Sequence, residues 1–268
     1  MINFWYSRSQ LILGAAFLLS PLAWIYRGVI YLKNYKVKTQ KINGRGEIKE
    51  AAMNAAPTIV IGNITLGGTG KTPMILYLVK LLERQGFKPG VISRGYGGKS
   101  DIYPLEVEAN SSPKTIGDEP YLIFKKTGVP VVVSPKRIEA RKLLLAQHPE
   151  VNIILSDDGL SHWEMSRDLE IVMVDGLRKF GNGYCLPVGP LREPVSRLKT
   201  VDFVVVTGGR SSLFPSGDET IQPVSQTVEF KMDLIPQKII SLEDPQNFFN
   251  ISDWVGQKIN LISGVGNP

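Results

Sequence analysis

The chain has 268 residues, of which 43% are hydrophobic and 21% charged, so it can bury a sizeable core and its composition argues against intrinsic disorder. A single cysteine, Cys185, excludes an internal disulfide and fits a reducing compartment. The net charge of +6 favours an anionic partner, which a nucleic acid, a phosphorylated molecule or an acidic membrane would each satisfy.

An uncharged apolar segment runs from Ser9 to Tyr26, between two arginines. Its length is close to the roughly 20 residues that span a bilayer, and aromatic residues cluster near its ends, as they do at membrane interfaces. Lysines follow it, which predicts that this flank faces the cytoplasm and anionic headgroups. We therefore expect residues 1–42 to form a hydrophobic membrane-associated segment, whose helix either spans the bilayer or lies in its interface.

Two other interpretations of this segment are a cleaved signal peptide and a buried helix of the core. The signal peptide is the weaker of the two. No small-x-small cleavage site follows the apolar run, and the phosphate-binding pattern farther along the chain requires cytosolic nucleotide.

From Thr58 onward, apolar runs alternate with segments of helical length. Short continuous apolar runs are typical of parallel strands buried on both faces, and they occur at 58–63, 90–95, 129–134, 151–158, 169–175 and 201–207. Residues 72–85 and 135–147 have the apolar spacing of helices. The alternation predicts an α/β fold with a doubly wound, mainly parallel sheet of the P-loop NTPase type, in a domain of residues 43–210.

The remainder of the chain has a different character. Residues 179–199 are rich in glycine, proline and arginine and predict a functional loop. Beyond residue 210, VEFKMDLIP (228–236) and KINLISGVGNP (258–268) predict strands of a second α/β unit over residues 211–268. A helix usually follows such a strand and glycine-rich turn, so we expect this second unit to be partial and the chain to be a fragment.

The most specific motif is IVIGNITLGGTGKTP, at 59–73, in which a buried strand leads through a glycine-rich turn into a helix. In such a turn, backbone N–H groups surround phosphate oxygens, a lysine contacts the β- and γ-phosphates, and a threonine hydroxyl binds Mg²⁺. The standard spacing has glycine where Thr65 stands, so this is a variant phosphate loop. A plain strand-to-helix turn would have to explain the glycines and the GKT together. The motif predicts an ATP and Mg²⁺ site formed by Thr65, Leu66, Gly67, Gly68, Thr69, Gly70, Lys71 and Thr72.

Acidic residues occur at two informative places. Asp157 and Asp158 end an apolar strand, and ligands of a doubly wound sheet bind beyond the carboxyl ends of its strands. One of the two is expected to order Mg²⁺, directly or through water, although Asp-Gly turns are common. Asp118, in TIGDEPYLIF, fits a helix N-cap followed by Pro120 in the first turn, so its sequence position alone favours a cap.

Three further polar side chains are candidates: Arg94 in SRGYGG, His162 in LSHW and Arg192 in PVGPLREP. An arginine that follows a strand is suited to neutralise phosphate. His162 lies four residues beyond the paired aspartates. Each of the three, taken alone, fits a solvated or locally paired side chain equally well.

In chain order, the apolar N-terminal segment and the motifs GNITLGGTGKTP, SRGYGG, GDEP, SDDGLSHW and GPLREP resemble the tetraacyldisaccharide 4'-kinases, the lipid A 4'-kinases. The resemblance runs from about Trp5 to the end of the chain. It implies an enzyme that uses MgATP to phosphorylate the 4' position of a tetraacylated glucosamine disaccharide 1-phosphate. It also implies a location at the cytoplasmic face of the inner membrane.

The resemblance also implies residue roles. The residues with implied catalytic roles are Asp118, Asp158, His162 and Asn267. Asn267 stands where many members of the family carry a histidine thought to pair with the catalytic aspartate. An asparagine is unable to relay a proton and would only orient the carboxylate by hydrogen bonds. The resemblance further implies a metal role for Asp157 beside Thr72, and substrate contacts from Arg94, Arg192 and Glu193.

The expected partners are the lipid disaccharide and the membrane, with no nucleic acid and no protein partner inferred. The alternative is a P-loop NTPase that acts as a switch for a membrane or metal-delivery partner, which would hydrolyse nucleotide without the lipid. Nucleic-acid binding through the basic surface lacks a recognition motif.

Overall fold

A mostly parallel β-sheet organises the part of the chain that the structure describes. In this computed structural model, the described residues are 5–6, 21–30, 56–162, 164–209, 213, 227–235, 238–241, 243–244, 246–256, 258 and 260. Within them the main sheet has eight strands in the order β3-β4-β2-β5-β1-β6-β7-β8. These strands are β1 (Thr58–Gly62), β2 (Pro89–Ser93), β3 (Leu105–Glu106), β4 (Val131–Val133), β5 (Ile153–Asp157), β6 (Leu169–Asp175), β7 (Phe203–Thr207) and β8 (Val228–Met232).

All neighbouring strands of this sheet run parallel except the short β3, which pairs antiparallel with β4. The parallel strands β1, β2, β4, β5 and β6 are buried because helices cover both faces of the sheet there, whereas the edge strand β8 is largely exposed. Between these strands lie the α-helices α1 (Lys71–Arg84), α2 (Pro113–Ile116), α3 (Asp118–Thr127) and α4 (Arg137–Gln147). The predicted doubly wound, mainly parallel α/β fold is confirmed.

The two faces of the sheet carry separate apolar layers. On one face, α1 contributes Met74, Ile75, Leu78 and Val79, whose spacing places them on one side of the helix. On the other face, α4 contributes two buried apolar residues, Ala140 and Leu144. The buried sides of α1 and α4 are thus occupied by packing against the sheet, and the polar groups of interest lie at the ends of the strands and in the loops that follow them.

Strand β1 lies at the centre of the sheet, between β5 and β6, and β7 is the next strand beyond β6. Because these four strands are parallel, their carboxyl ends meet at one edge of the sheet. That edge brings together the loop after β1, the two aspartates at the end of β5, Asp175 at the end of β6 and Thr207 at the end of β7. The fold thus collects polar groups that lie far apart in the sequence.

One predicted strand belongs elsewhere than expected. The segment VEFKMDLIP does contain a strand, β8, but this strand pairs in parallel with β7 and extends the main sheet instead of opening a second one. Its assignment to the second unit was therefore wrong. The separate two-stranded sheet of β9 (Lys238–Ile240) and β10 (Phe248–Asn250) follows, with a 3₁₀ turn at Ile251–Trp254. The division of the chain at residue 210 stays a prediction, and most of 258–268 lies outside the described residues.

Parts of the N-terminal segment are described, at 5–6 and 21–30, and both parts are helical. In residues 21–30, Ala23 is buried against Val188, whereas the side chains of Leu22, Trp24, Ile25 and Val29 are 49–70% exposed. This exposure contradicts a buried core helix for 21–30. None of the helices in the described ranges has both the length and the apolar character to cross a bilayer.

Candidate active site

The loop between β1 and α1 has the geometry of a phosphate cradle. Gly70 is the residue before α1 and has a φ of 82°, in the left-handed region that glycine adopts without strain. A Cβ on Gly70 would lie 2.9 Å from Cγ2 of Thr207, and one on Gly67 would lie 3.0 Å from Nη1 of Arg178. The φ of Gly67 is 99°, which also lies in the left-handed region, so glycine is favoured at both positions. The loop ends at a helix N-terminus, where anions are favoured.

Lys71, the first residue of α1, points to a charged cluster at the edge of the sheet. Its Nζ lies 3.7 Å from Oδ1 of Asp158. Nη1 of Arg192 contacts both carboxylate oxygens of Asp158, at 3.2 and 2.9 Å. Burial alone would raise the pKa of Asp158, but Lys71 and Arg192 together lower it below its usual range. The cluster is a carboxylate that is held ionised between two cations.

Asp157 has the opposite environment. Its Oδ2 accepts a hydrogen bond from Ser93 Oγ at 2.9 Å, while its carbonyl accepts one from Arg137 Nη2 at 2.8 Å. Complete burial raises the pKa of Asp157 to about 6, with the nearby negative charge of Glu119 adding to the effect and Lys71 opposing it. A cation bound beside Asp157 would favour the ionised carboxylate and so lower this pKa again.

Several buried polar atoms have no hydrogen-bond partner among the described residues, and they include Oδ1 of Asn63, Oγ1 of Thr69 and Oδ1 of Asp157 at this edge. Buried polar atoms are rarely left unpaired in folded proteins. Asp158, the next residue, has a φ of 50°, an uncommon conformation for a residue other than glycine that often marks a functional site. These features indicate a site prepared for a polar ligand.

Comparisons with known proteins agree with this geometry. Residues 15–268 match the family model described as LpxK: Tetraacyldisaccharide-1-P 4'-kinase. A tetraacyldisaccharide 4'-kinase from Methylobacillus flagellatus is 40% identical over 264 residues, which are 98% of this chain and 71% of that protein. The chain belongs to the tetraacyldisaccharide-1-P 4'-kinase family.

A solved structure also resembles the chain. The crystal structure of LpxK from Aquifex aeolicus in complex with ATP superposes with a TM-score of 0.62 at 26% identity. It covers 84% of this chain, and the chain spans 66% of that protein. The family resemblance predicted from the sequence is therefore confirmed, and with it the kinase class of the homologues.

The structure brings several of the predicted kinase residues together. Lys71, Asp157, Asp158 and Arg192 lie at one edge of the sheet, directly beside the phosphate loop. Arg94 is exposed after β2 and lies close enough to Arg137 to lower the pKa of that guanidinium; burial is the larger cause, and the pKa falls to about 10. Thr65 is buried and pairs with Leu191, so the start of the cradle is joined to the loop that carries Arg192. Leu66 adds to this junction, because its N–H donates to Pro190 O at 2.8 Å.

Asp118 is exposed at the start of α3. The N-cap of this helix is Gly117, so the expectation that Asp118 is the cap was wrong. Asp118 is instead the first helical residue. The next residue, Glu119, carries a negative charge that helps to raise the pKa of Asp157. A catalytic role for Asp118 stays a prediction.

Glu193, with an implied substrate contact, is buried, and His162, with an implied catalytic role, is half-buried. Glu193 is 6% exposed, and its Oε2 is 3.2 Å from Nε of Arg197, which also pairs with Glu170 at 2.6 Å. Burial raises the pKa of Glu193, and this network favours a structural role for it. His162 is half-buried, and its carbonyl accepts a 2.6 Å hydrogen bond from Arg167. Asn267 lies outside the described residues.

Other residues at the site were not predicted: Asn63, Glu119, Arg137, Asp175 and Arg178. Glu119 stands within GDEP, and Asp175 ends an apolar strand just as Asp157 does, so the rule that located Asp157 would also have found Asp175. Arg137 and Arg178 follow strands β4 and β6. Their contacts join residues that are 20 and 110 positions apart, a pairing that no local pattern contains.

Proposed function

We propose that this chain transfers the γ-phosphate of ATP to the 4' hydroxyl of a tetraacyldisaccharide 1-phosphate, a reaction of lipid A biosynthesis. The observation that carries the proposal is the position of Lys71. It opens a helix behind a glycine-rich phosphate loop and faces Asp158 and Arg192, in a chain of the 4'-kinase family. The ATP in the related LpxK crystal structure supports the choice of nucleotide.

Phosphoryl transfer depends on positioning and charge neutralisation. In the proposed site the amides of the loop from Thr65 to Gly70 and the ammonium of Lys71 bind the triphosphate. Arg192 supplies a second positive charge that Asp158 orients. Asp118 is placed on an exposed helix start, where it is accessible to a sugar hydroxyl and suited to accept its proton.

Mg²⁺ fits the donor set of this site. Thr72 offers a hydroxyl and Asp157 a carboxylate with one unpaired buried oxygen, and hard oxygen ligands of this kind suit Mg²⁺. The described residues contain no cluster of three or more acidic, histidine or cysteine side chains arranged for a metal. In nucleotide sites, however, Mg²⁺ typically takes one or two protein ligands and the rest from phosphate and water. When bound, the ion would neutralise charge on the phosphates.

The remaining predicted residues have proposed roles of different strength. Arg94 is proposed to contact an anionic group of the substrate, because it is exposed on the same edge of the sheet. His162 is proposed to shape the wall behind Asp158. Asn267 is proposed to orient Asp118 by hydrogen bonding.

The N-terminal segment supports a location at the cytoplasmic face of the inner membrane. The exposed apolar side chains of residues 21–30 are suited to enter a bilayer interface. The guanidinium of Arg27 lies 5.4 Å from the ring of Trp24, a pairing of a cation and an aromatic suited to headgroups. A tetraacylated substrate stays in the bilayer, so its kinase must come to the membrane.

The test is a comparison of ATP consumed with lipid phosphorylated. The protein is incubated with γ-labelled ATP, with and without the disaccharide lipid. A kinase consumes ATP in proportion to the labelled lipid formed. Hydrolysis at the same rate without lipid would contradict the proposal and favour the nucleotide-dependent switch.

A further inference from the structure

Three successive carbonyl groups of the phosphate loop are held by side chains from three different strand ends. Asn63 Nδ2 donates to the carbonyl of Gly67 at 3.1 Å. Arg178 Nη2 donates to the carbonyl of Gly68. Thr207 Oγ1 lies 3.1 Å from the carbonyl of Thr69 and 3.3 Å from that of Val174. The three donors follow or end β1, β6 and β7 respectively.

These contacts fix the orientation of the amides that bind phosphate. In a trans peptide the C=O and the following N–H point in opposite directions. A carbonyl held from outside the loop therefore turns the next N–H to the opposite side. Anchoring the carbonyls of Gly67, Gly68 and Thr69 in this way directs the N–H groups of Gly68, Thr69 and Gly70 away from the anchors, and successive N–H groups of this kind form an anion-binding concavity.

Arg178 is the most rigidly held of the three anchors. Its Nε donates to Oδ2 of Asp175 at 2.8 Å, while Oδ1 of Asp175 accepts the backbone N–H groups of Leu177 and Arg178, both at 2.9 Å. The guanidinium also lies 5.9 Å from the ring of Tyr6, which belongs to the N-terminal segment. Because Gly67 has no side chain, the guanidinium of Arg178 can lie close to the backbone of the phosphate loop.

We propose that Arg178, assisted by Asn63 and Thr207, is a positioning residue that holds the phosphate loop in its nucleotide-binding conformation before the nucleotide arrives. A glycine-rich loop loses more conformational entropy on ordering than other segments. Anchors that are already in place remove that cost from the binding step and so increase affinity. The inference rests on the proposed nucleotide site and extends it to residues that need not contact the phosphates.

The alternative is that Arg178 contacts the γ-phosphate itself. The two roles differ in their effect on ADP, which lacks that phosphate. The positioned loop also binds the β-phosphate, which ATP and ADP share. Loss of the anchor should therefore weaken the binding of ATP and of ADP to a similar extent. A direct contact with the γ-phosphate would weaken ATP alone.

The experiment measures the Kd of ATP and of ADP by titration calorimetry for the wild-type protein and for Arg178→Met and Thr207→Val. Methionine keeps the apolar length of the side chain but removes the donors, and valine keeps the shape of threonine but removes the hydroxyl. The matched controls are Arg84→Met, an exposed arginine of α1, and Thr127→Val, whose hydroxyl donates to a carbonyl in α3 at 2.7 Å.

We expect Arg178→Met to raise both Kd values about tenfold and Thr207→Val to raise both about threefold, the usual difference between charged and neutral donors. The controls should stay within about twofold of wild type, and the KM for lipid should change little. Thr207→Val provides an independent result if Arg178→Met folds poorly.

Unchanged Kd values in both variants, or a loss for ATP with ADP unaffected, would overturn the inference. A wild-type protein that binds neither nucleotide would instead refute the proposed nucleotide site and this inference with it. The two failures are therefore distinguishable from the wild-type titration alone.

Discussion

Asp157 and Asp158 are consecutive in the chain, yet their carboxyl groups have pKa values shifted in opposite directions. Asp157 is fully enclosed, and burial raises its pKa to about 6. Asp158 also suffers desolvation, but Lys71 and Arg192 lower its pKa. Asp157 is the last residue of β5 and Asp158 follows it, and this difference in surroundings suits them to different tasks.

The raised pKa of Asp157 predicts a stability effect that depends on pH. Between its unfolded value near 4 and its folded value of about 6, the native state binds more protons than the unfolded state, so stability falls as the pH rises through this window. Asp157→Asn removes the buried charge. The difference in stability between Asp157→Asn and wild type should therefore shift in favour of the variant by about 2–3 kcal/mol as the pH is raised from about 4 to about 8. The difference in their melting temperatures should shift in the same direction by several degrees.

The melting temperatures are measured in the presence of a chelator, because a bound cation would lower the pKa of Asp157 and hide the effect. Asp101→Asn, an exposed aspartate, is the control and should show no such dependence. A difference between Asp157→Asn and wild type that is constant across this pH range would contradict the assignment. Activity of Asp157→Asn should fall at every pH, because the proposed Mg²⁺ ligand is lost.

Lys71→Met tests the phosphate loop. Loss of the ammonium group should lower kcat by roughly 10²- to 10³-fold, as removal of a donor to a transition state does. The protein should remain folded because Asp158 keeps its contact with Arg192. Lys80→Met, on the exposed side of the same helix, should retain activity in the same assay. Near-normal turnover by folded Lys71→Met would exclude the phosphate-loop assignment.

Asp118→Asn tests the proposed base. Because Gly117 is the N-cap of α3, the substitution leaves the cap intact and removes only a favourable first-turn charge, worth less than about 1 kcal/mol. If Asp118 accepts the proton of the sugar hydroxyl, kcat should fall by roughly 10² or more while the Kd of ATP is unchanged. Kinetics and calorimetry on the same preparation separate these effects. A variant that keeps more than about half of the wild-type kcat would refute the base assignment.

Substitutions on the exposed apolar side of residues 21–30 test membrane association. Trp24→Gln combined with Ile25→Gln should weaken binding to anionic vesicles at least about tenfold, because each side chain loses the free energy of burial in the interface. Ala23 and Tyr26, which contact the body of the protein, are left in place. Activity on detergent-dispersed lipid should therefore persist.

The control for this test is Ile102→Gln with Val255→Gln, two exposed apolar residues outside the segment. Vesicle flotation measures binding, and the KM for lipid is compared in vesicles and in detergent. Equal losses of activity in both assays would show that Trp24 and Ile25 support the fold and not the membrane contact.

Six strands between Thr58 and Thr207 and the helices α1 and α4 were predictable, because buried parallel strands and amphipathic helices have local patterns. The short antiparallel strand β3 has no such pattern and was not predicted. The phosphate loop was predictable as well, since its glycines, Lys71 and Thr72 are contiguous. The position of Asp157 and Asp158 followed from the rule on carboxyl ends of strands.

Long-range pairings were not predictable. The parallel pairing of β8 with β7 depends on a crossover whose partner no local signal specifies. Arg178 meets Gly68 across 110 positions, and Tyr26 donates to the carbonyl of Arg192 at 3.2 Å across 166. Such contacts arise only once the sheet has set the strands side by side.

The most direct test of the central claim is the position of the phosphate in the product. The protein is incubated with ATP, Mg²⁺ and the tetraacyldisaccharide 1-phosphate, and the product lipid is analysed by phosphorus NMR and mass spectrometry. A new phosphomonoester on the 4' oxygen, absent with Lys71→Met, is the result predicted. A lipid that stays unphosphorylated while ATP is hydrolysed, or one phosphorylated at another hydroxyl, would contradict the account.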